Sequence, residues 1–251
     1  MTGPIAIEGA MPGDVLEVRI DKVALRCDWG YNVIRPLVGT LTDDFHETRH
    51  ITIPLDARNN TGRLPWGLDL PLAPFFGVMG VAPPPAWGRI SSIQPRAHGG
   101  NLDNKELIAG TTLYLPVFVP GALFSCGDGH GAQGDGEVCV TGIEAPMSVT
   151  ARFDVRSDMA IEQPRFETAG PFTPSGHDEP TYGTTGIDSD LMTATKKAVR
   201  HMIDHLHVDR GLSRAEAYIL CSAAVDLKIN EVVDEPNWVV SAYVAQSLFP
   251  E

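Results

Sequence analysis

No apolar run in this 251-residue chain approaches the roughly 18 residues of a membrane span. The opening MTGPIAIEGAMPGD has neither the basic nor the apolar region of a signal peptide. Cysteine is scarce: Cys27, Cys126, Cys139 and Cys221 are far apart and form no CxxC pair. That excludes a disulfide scaffold or a zinc ribbon and predicts reduced thiols in a cytoplasmic protein. Basic residues are few, 19 Lys and Arg against 32 Asp and Glu, and the net charge of -13 argues against a nucleic-acid partner. No GxGxxG or P-loop is present, so nucleotide cofactors are not expected. Internal repeats and low-complexity tracts are also missing.

The chain does have the composition of a globular protein, 43% hydrophobic and 20% charged, and is long enough for one large or two modest domains. Its 25 glycines and 20 prolines crowd into the first two thirds, with short apolar runs between them. Frequent breakers of this kind predict many short strands. VLEVRIDKVAL (15–25) alternates as a half-buried strand, with Val15, Glu17, Arg19 and Asp21 on one face and Leu16, Val18, Ile20 and Lys22 on the other. Further strands are expected at 50–55, within 111–124, at 137–143 and at 147–156. Residues 71–85, PLAPFFGVMGVAPPP, are apolar but broken by Pro and Gly, which suits the wall of a cavity.

The texture changes near Asp188. Leu191, Ala194, Ala198, Met202, Ile203 and Leu206 recur at helical spacing over 189–206, with Asp188 or Ser189 as N-cap. Ser213 and Glu216 form a capping-box pattern ahead of a second helix. Two strand-like runs follow, at 227–233 and 238–245. Residues 157–187, rich in Pro, Gly, Ser and Thr, read as a lid-like excursion. The expected organisation is a β-rich domain over 1–156, then a region over 157–251 comprising the excursion and an α+β portion with two helices.

Chemistry concentrates in two stretches. In GALFSCGDGHGAQGDGEVCVTG (121–142), glycines alternate with Asp128, His130, Gln133, Asp135 and Glu137. This is a poor recipe for a helix or an ordinary strand, and glycine is used where something approaches the backbone closely. The second stretch is HGGNLD, with His98, Asn101 and Asp103. Imidazole with carboxylate suits a divalent metal such as zinc, which activates water at neutral pH. Taken singly, Asp128 and Asp135 read as turn-formers and His130 as a loop histidine. Two such dense clusters in one chain favour an active site.

Other groups carry less. His201 and His205 sit four apart without the HExxH glutamate and beside Lys197 and Arg200, which predicts a solvated helix face. No base is evident for Cys126 as a nucleophile, and Cys139 reads as core. Ser91-Ser92 lacks the glycine-rich surroundings of a serine amidase.

The motifs GPIAIEGAMPGD, PLAPFFGVMGVAP, HGGNLDNKEL, YLPVFVPGALFSCGDGHGAQGDGEVCVTGIE and SAAVDLKINEVVD, in that order, resemble the acetamidase/formamidase family over nearly the whole chain. The resemblance implies a fold with a barrel- or sandwich-like β core and a C-terminal α+β portion. It also implies hydrolysis of a small linear amide, formamide or acetamide, to carboxylate and ammonia. Relatives include enzymes acting on γ-lactams and enzymes with a bound divalent metal, zinc in particular. Relatives usually begin a few dozen residues earlier, with a histidine- and tryptophan-bearing segment, and show an aliphatic residue where Cys126 stands.

On this basis the metal is expected on His98 and His130 with Asp103 or Asp128. Glu137 is expected to act as general base, with Gln133, Asn101 and Asp135 completing the catalytic set. The expected partner is the small amide alone, in a homo-oligomer, a dimer first. The rival readings are a lactam hydrolase and a non-catalytic short family member.

Overall fold

The computed structural model describes residues 1–170 and 179–249. Strand dominates, as the breaker spacing predicts, and the two helices lie near the C-terminus. The residues group into two compact units that interleave along the chain. The first comprises Met1–Cys27, Ala73–His130 and Ala145–Phe172; the second comprises Asp28–Leu72, Gly131–Glu144 and Thr173–Glu251.

The first unit holds two antiparallel four-stranded sheets. One is ordered β1 (Thr2–Ile5), β10 (Phe124–His130), β7 (Phe75–Gly80), β8 (Gly99–Asn101). The other is ordered β11 (Met147–Arg156), β2 (Val15–Leu25), β9 (Thr112–Pro116), β12 (Arg165–Glu167). Val15, Leu16, Val18 and Ile20 of β2 are buried, and so is the charged Glu17, which shares a face with Val15. Its partners explain this. Arg156 Nη1 of β11 donates to Oε2 at 2.8 Å and Arg19 Nε to Oε1 at 2.6 Å, so the buried charge is matched on both oxygens.

The second unit holds a sheet ordered β3 (Trp29–Ile34), β4 (Arg49–Asp56), β5 (Thr61–Arg63), β6 (Asp69–Pro71), and another ordered β13 (Thr181–Asp188), β15 (Trp238–Ala245), β14 (Asp226–Glu231). Ile51, Ile53 and Leu55 of β4 alternate inward as period two requires. Helix α1 (Leu191–Val208) buries Ala194, Ala198, Val199, Met202, Ile203 and Leu206, while Leu191 is exposed. It lies directly on β13: a side chain at Gly186 would strike the backbone of Ala194 and Ala198. The N-cap is Asp190, whose carboxylate accepts from Thr193 N at 2.7 Å, and not Asp188 or Ser189. Asp188 instead ends β13 and pairs with Lys197 at 2.6 Å. Helix α2 (Arg214–Ala224) carries the expected capping box, with Ser213 and Glu216 exchanging bonds.

Three further expectations change. The glycine-rich stretch is a strand over its first part, because β10 pairs with both β1 and β7. Residues 137–143 form turns, not a strand. The solvated face expected at His201 and His205 holds only in part: His201 is exposed, with Nδ1 3.0 Å from Thr185 O, whereas the His205 ring stacks on Tyr182 with centroids 3.6 Å apart.

The sheets are open among the described residues; none closes into a barrel. Of the expected excursion, 157–187, the stretch 171–178 lies outside the described residues, and the rest includes β12 and most of β13. No helix among the described residues is long and apolar enough to cross a membrane.

Candidate active site

In the first unit, β7 is buried along its whole length and lies between β10 and β8. Phe75 stands opposite His130, Met79 opposite Cys126, and Val78 opposite Asn101. Opposed residues share a face and successive residues alternate, so Phe75, Gly77 and His130 belong to one face and Val78 and Gly80 to the other.

His130 is fully buried, and its ring stacks on Phe75 with centroids 5.0 Å apart and planes 17° from parallel. Asp103 follows β8 with φ of 43° and bonds its own N–H to Gly77 O at 3.2 Å. Asn101 Nδ2 donates to Asp103 Oδ2, fixing the carboxylate. A carboxylate oxygen of Asp103 and an imidazole nitrogen of His130 lie within 4.8 Å of each other, and the same holds for Asp128 and His130. Asp128 is exposed and left-handed, with φ of 60°, a conformation Asp tolerates better than most residues.

Gly77 makes room for these groups. A Cβ there would press on Asp103 Oδ1 and sit 2.8 Å from His130 Cε1 and 3.0 Å from Nδ1. Carboxylate and imidazole therefore approach the strand where any side chain at 77 would stand. Their donors, one nitrogen and carboxylate oxygens, are those that divalent zinc takes.

His98 stands elsewhere. It lines a cavity of about 300 Å³ together with Val78, Gly80, Gly100, Ser91 and Ser125, on the sheet face opposite His130. Its Nδ1 is buried without a hydrogen-bond partner among the described residues. Burial, and then the Arg96 charge, hold its imidazole below the usual histidine range. The apolar wall expected from 71–85 is this cavity's, through Val78, Val81, Ala82 and Pro83. Phe75 backs His130 instead.

The remaining expected residues are in the second unit, on 131–144. Gln133 is buried, and Asp135 N donates to Asp226 Oδ1 at 3.0 Å. Glu137 Oε1 and Glu144 Oε1 each accept the Gly142 N–H at 3.1 Å. The structure thus brings Asp103 and Asp128 each to His130, bonds Asn101 to Asp103, and sets Glu137 beside Glu144. Gly77 and Glu144 were not singled out by the sequence reading. Glu144 does close the GIE end of the glycine-rich motif, whereas nothing local marks Gly77 among the chain's many glycines. Among the cysteines, burial pushes the Cys126 and Cys139 thiols up, away from the thiolate form that a nucleophile needs.

The model of the acetamidase/formamidase family matches residues 1–89 and 86–251. The chain is 26% identical to the formamidase of Methylophilus methylotrophus, over 99% of this chain and 76% of that one. Its structure resembles the γ-lactamase from Delftia acidovorans, with a TM-score of 0.90 and 26% identity, covering all of this chain and 76% of the other. It also resembles an acetamidase from Bacillus halodurans, with a TM-score of 0.63 and 33% identity over 97% of this chain and 77% of that one.

Proposed function

This chain belongs to the acetamidase/formamidase family, and from that premise we propose that it hydrolyses a small linear amide, formamide or acetamide, with metal-assisted water. Amidase activity on carbon–nitrogen bonds other than peptide bonds follows from the family and its named relatives. The observation that carries the finer reading is the missing side chain at Gly77, against which the Asp103 carboxylate and the His130 imidazole both pack, with ligand atoms within 4.8 Å of each other.

Asp103 and His130 would hold a divalent ion, zinc first, with Asp128, which also approaches His130, as the alternative carboxylate. When bound, such an ion lowers the pKa of a coordinated water toward ~7 and polarises a carbonyl. Asn101 keeps Asp103 turned for this role by donating to one of its oxygens. Phe75 fixes the plane of His130. Glu137, assigned from its place seven residues after His130 in the chain, accepts a proton from the attacking water and delivers it to the amide nitrogen, which leaves as ammonia. Gln133 and backbone N–H groups of the glycine-rich stretch are assigned to steadying the developing oxyanion, and Asp135 to orienting the amide by accepting from its N–H. A cytoplasmic homodimer completes this reading.

The likeness to a γ-lactamase supports a second substrate class, a small cyclic amide. Parallel assays separate the two: ammonia release from formamide and acetamide, and ring opening of 2-pyrrolidone. Ammonia release with an unreacted ring supports the linear reading; the reverse moves the substrate to lactams.

A further inference from the structure

Among the buried polar side chains that the functional reading leaves without a role is Asn32. It lies in the middle of β3, at 0% exposure, between inward-facing Gly30 and Ile34. An amide at such a position is costly unless its donors and acceptor are satisfied. Nδ2 donates to Thr141 O at 2.8 Å and to Gly142 O at 2.9 Å. The Cys139 sulfur lies 3.5 Å from Oδ1 and 3.6 Å from Thr141 O, with one proton to give to either. All three contacts fall on the segment that makes turns where the sequence predicts a strand.

The bond to Thr141 O matters most. That oxygen belongs to the same planar peptide unit as the Gly142 N–H, and in a trans peptide the two point in opposite directions. On its carbonyl side the unit is held by Asn32 and by Ser222 Oγ of α2, which donates at 2.7 Å. On its amide side the single Gly142 N–H is shared by Glu137 Oε1 and Glu144 Oε1, each at 3.1 Å. Donors on the carbonyl oxygen also strengthen the N–H as a donor. Thr141 Oγ1 adds a second tie to β3, accepting from Val33 N at 3.0 Å and donating to Val33 O at 3.2 Å.

We propose that Asn32 is a positioning residue for amide hydrolysis: through the Thr141–Gly142 peptide it holds the Glu137 and Glu144 carboxylates on one shared donor. This rests on the assignment of Glu137 as the proton carrier. Asn32 does not touch substrate; it fixes where the carboxylates stand.

The test combines spectroscopy with kinetics on the full chain labelled with 15N-glycine. The Gly142 amide is identified by the peak lost in Gly142→Ala. In the wild type it resonates downfield and moves upfield in Glu144→Gln. Asn32→Asp keeps the shape and removes both N–H donors. It moves the Gly142 amide upfield and lowers kcat for formamide roughly 10- to 100-fold, with KM changing by less than about threefold.

Should Asn32→Asp not fold, Ser222→Ala weakens the same carbonyl-side hold from α2 and shifts the amide and kcat in the same directions, by less. A Gly142 amide that does not respond to Glu144→Gln, or that stays in place in the folded Asn32 or Ser222 variant, overturns the proposal. So does a shifted amide with unchanged kcat. If the wild type turns over neither linear amides nor 2-pyrrolidone, the functional reading itself falls, and this proposal with it.

Discussion

At Gly77 the missing side chain is the functional feature. The residue sits mid-strand at an ordinary backbone angle, so Gly77→Ala suffers from the added methyl and not from φ. The methyl lands on Asp103 Oδ1 and the His130 ring. Displacing catalytic groups by about 1 Å typically costs on the order of 100-fold, and a loss of that size is expected in ammonia release, with metal content reduced and the folded state kept by circular dichroism. Glu137→Gln should behave differently. It keeps the side chain's size, so metal content should stay while turnover vanishes; an unchanged kcat would sink its assignment as the base. The residue types of the candidate site were legible in the sequence, as histidines and carboxylates interleaved with glycine. The face was not. Whether His98 and His130 share a side of the sheet depends on how β7 pairs with its two neighbours, and no local pattern carries that.

Among the elements, those defined by local bonds were read most closely. The α2 capping box needs only Ser213 and Glu216 three positions apart, so it could be seen without the fold. Ser213→Ala should cost about 1 kcal/mol, measured as a lower midpoint in urea, with amidase activity unaltered. Strand β10 was missed because its glycines lower strand propensity, whereas tertiary pairing sets the outcome. Met1 packs where a Cβ at Gly127 would be, and Ala145 O and Met147 do the same at Gly129. The turns at 137–143 were missed for the converse reason: the Gly142 N–H goes to carboxylates in place of a ladder.

Strand β2 supplies a pH prediction. Burial raises the Glu17 carboxyl, but the hydrogen bonds and charges of Arg156 and Arg19 outweigh it and hold the group below its ordinary 4.5. A depressed folded-state value stabilises the fold above the unfolded value and loses that contribution as pH falls through the folded one. Glu17→Gln should therefore cost about 1–3 kcal/mol near pH 7. The gap to wild type should close as the pH drops below 4.5. Thermal melts across that range check it, and a gap independent of pH would contradict the ion-pair account.

For the molecule as a whole, sequence order and spatial grouping differ. Each compact unit draws on three separated stretches of chain, and the glycine-rich motif crosses from one to the other at His130. Composition changes along a chain reveal consecutive blocks, so an interleaved arrangement leaves no mark in them. The β-rich character with two late helices was legible, because breaker spacing and helical periodicity are local. Family membership was legible for another reason: long motifs occur in a fixed order over nearly the whole chain, and the family model matches residues 1–89 and 86–251.

The central claim is amide hydrolysis that needs a divalent ion on Asp103 and His130. Its most direct test is ammonia release from formamide and acetamide by one preparation, before chelation, after chelation with metal content verified by mass spectrometry, and after zinc is restored. The account predicts turnover that falls with the metal and returns with it, and no return in Asp103→Asn. Turnover that persists in protein shown to be free of metal would contradict it.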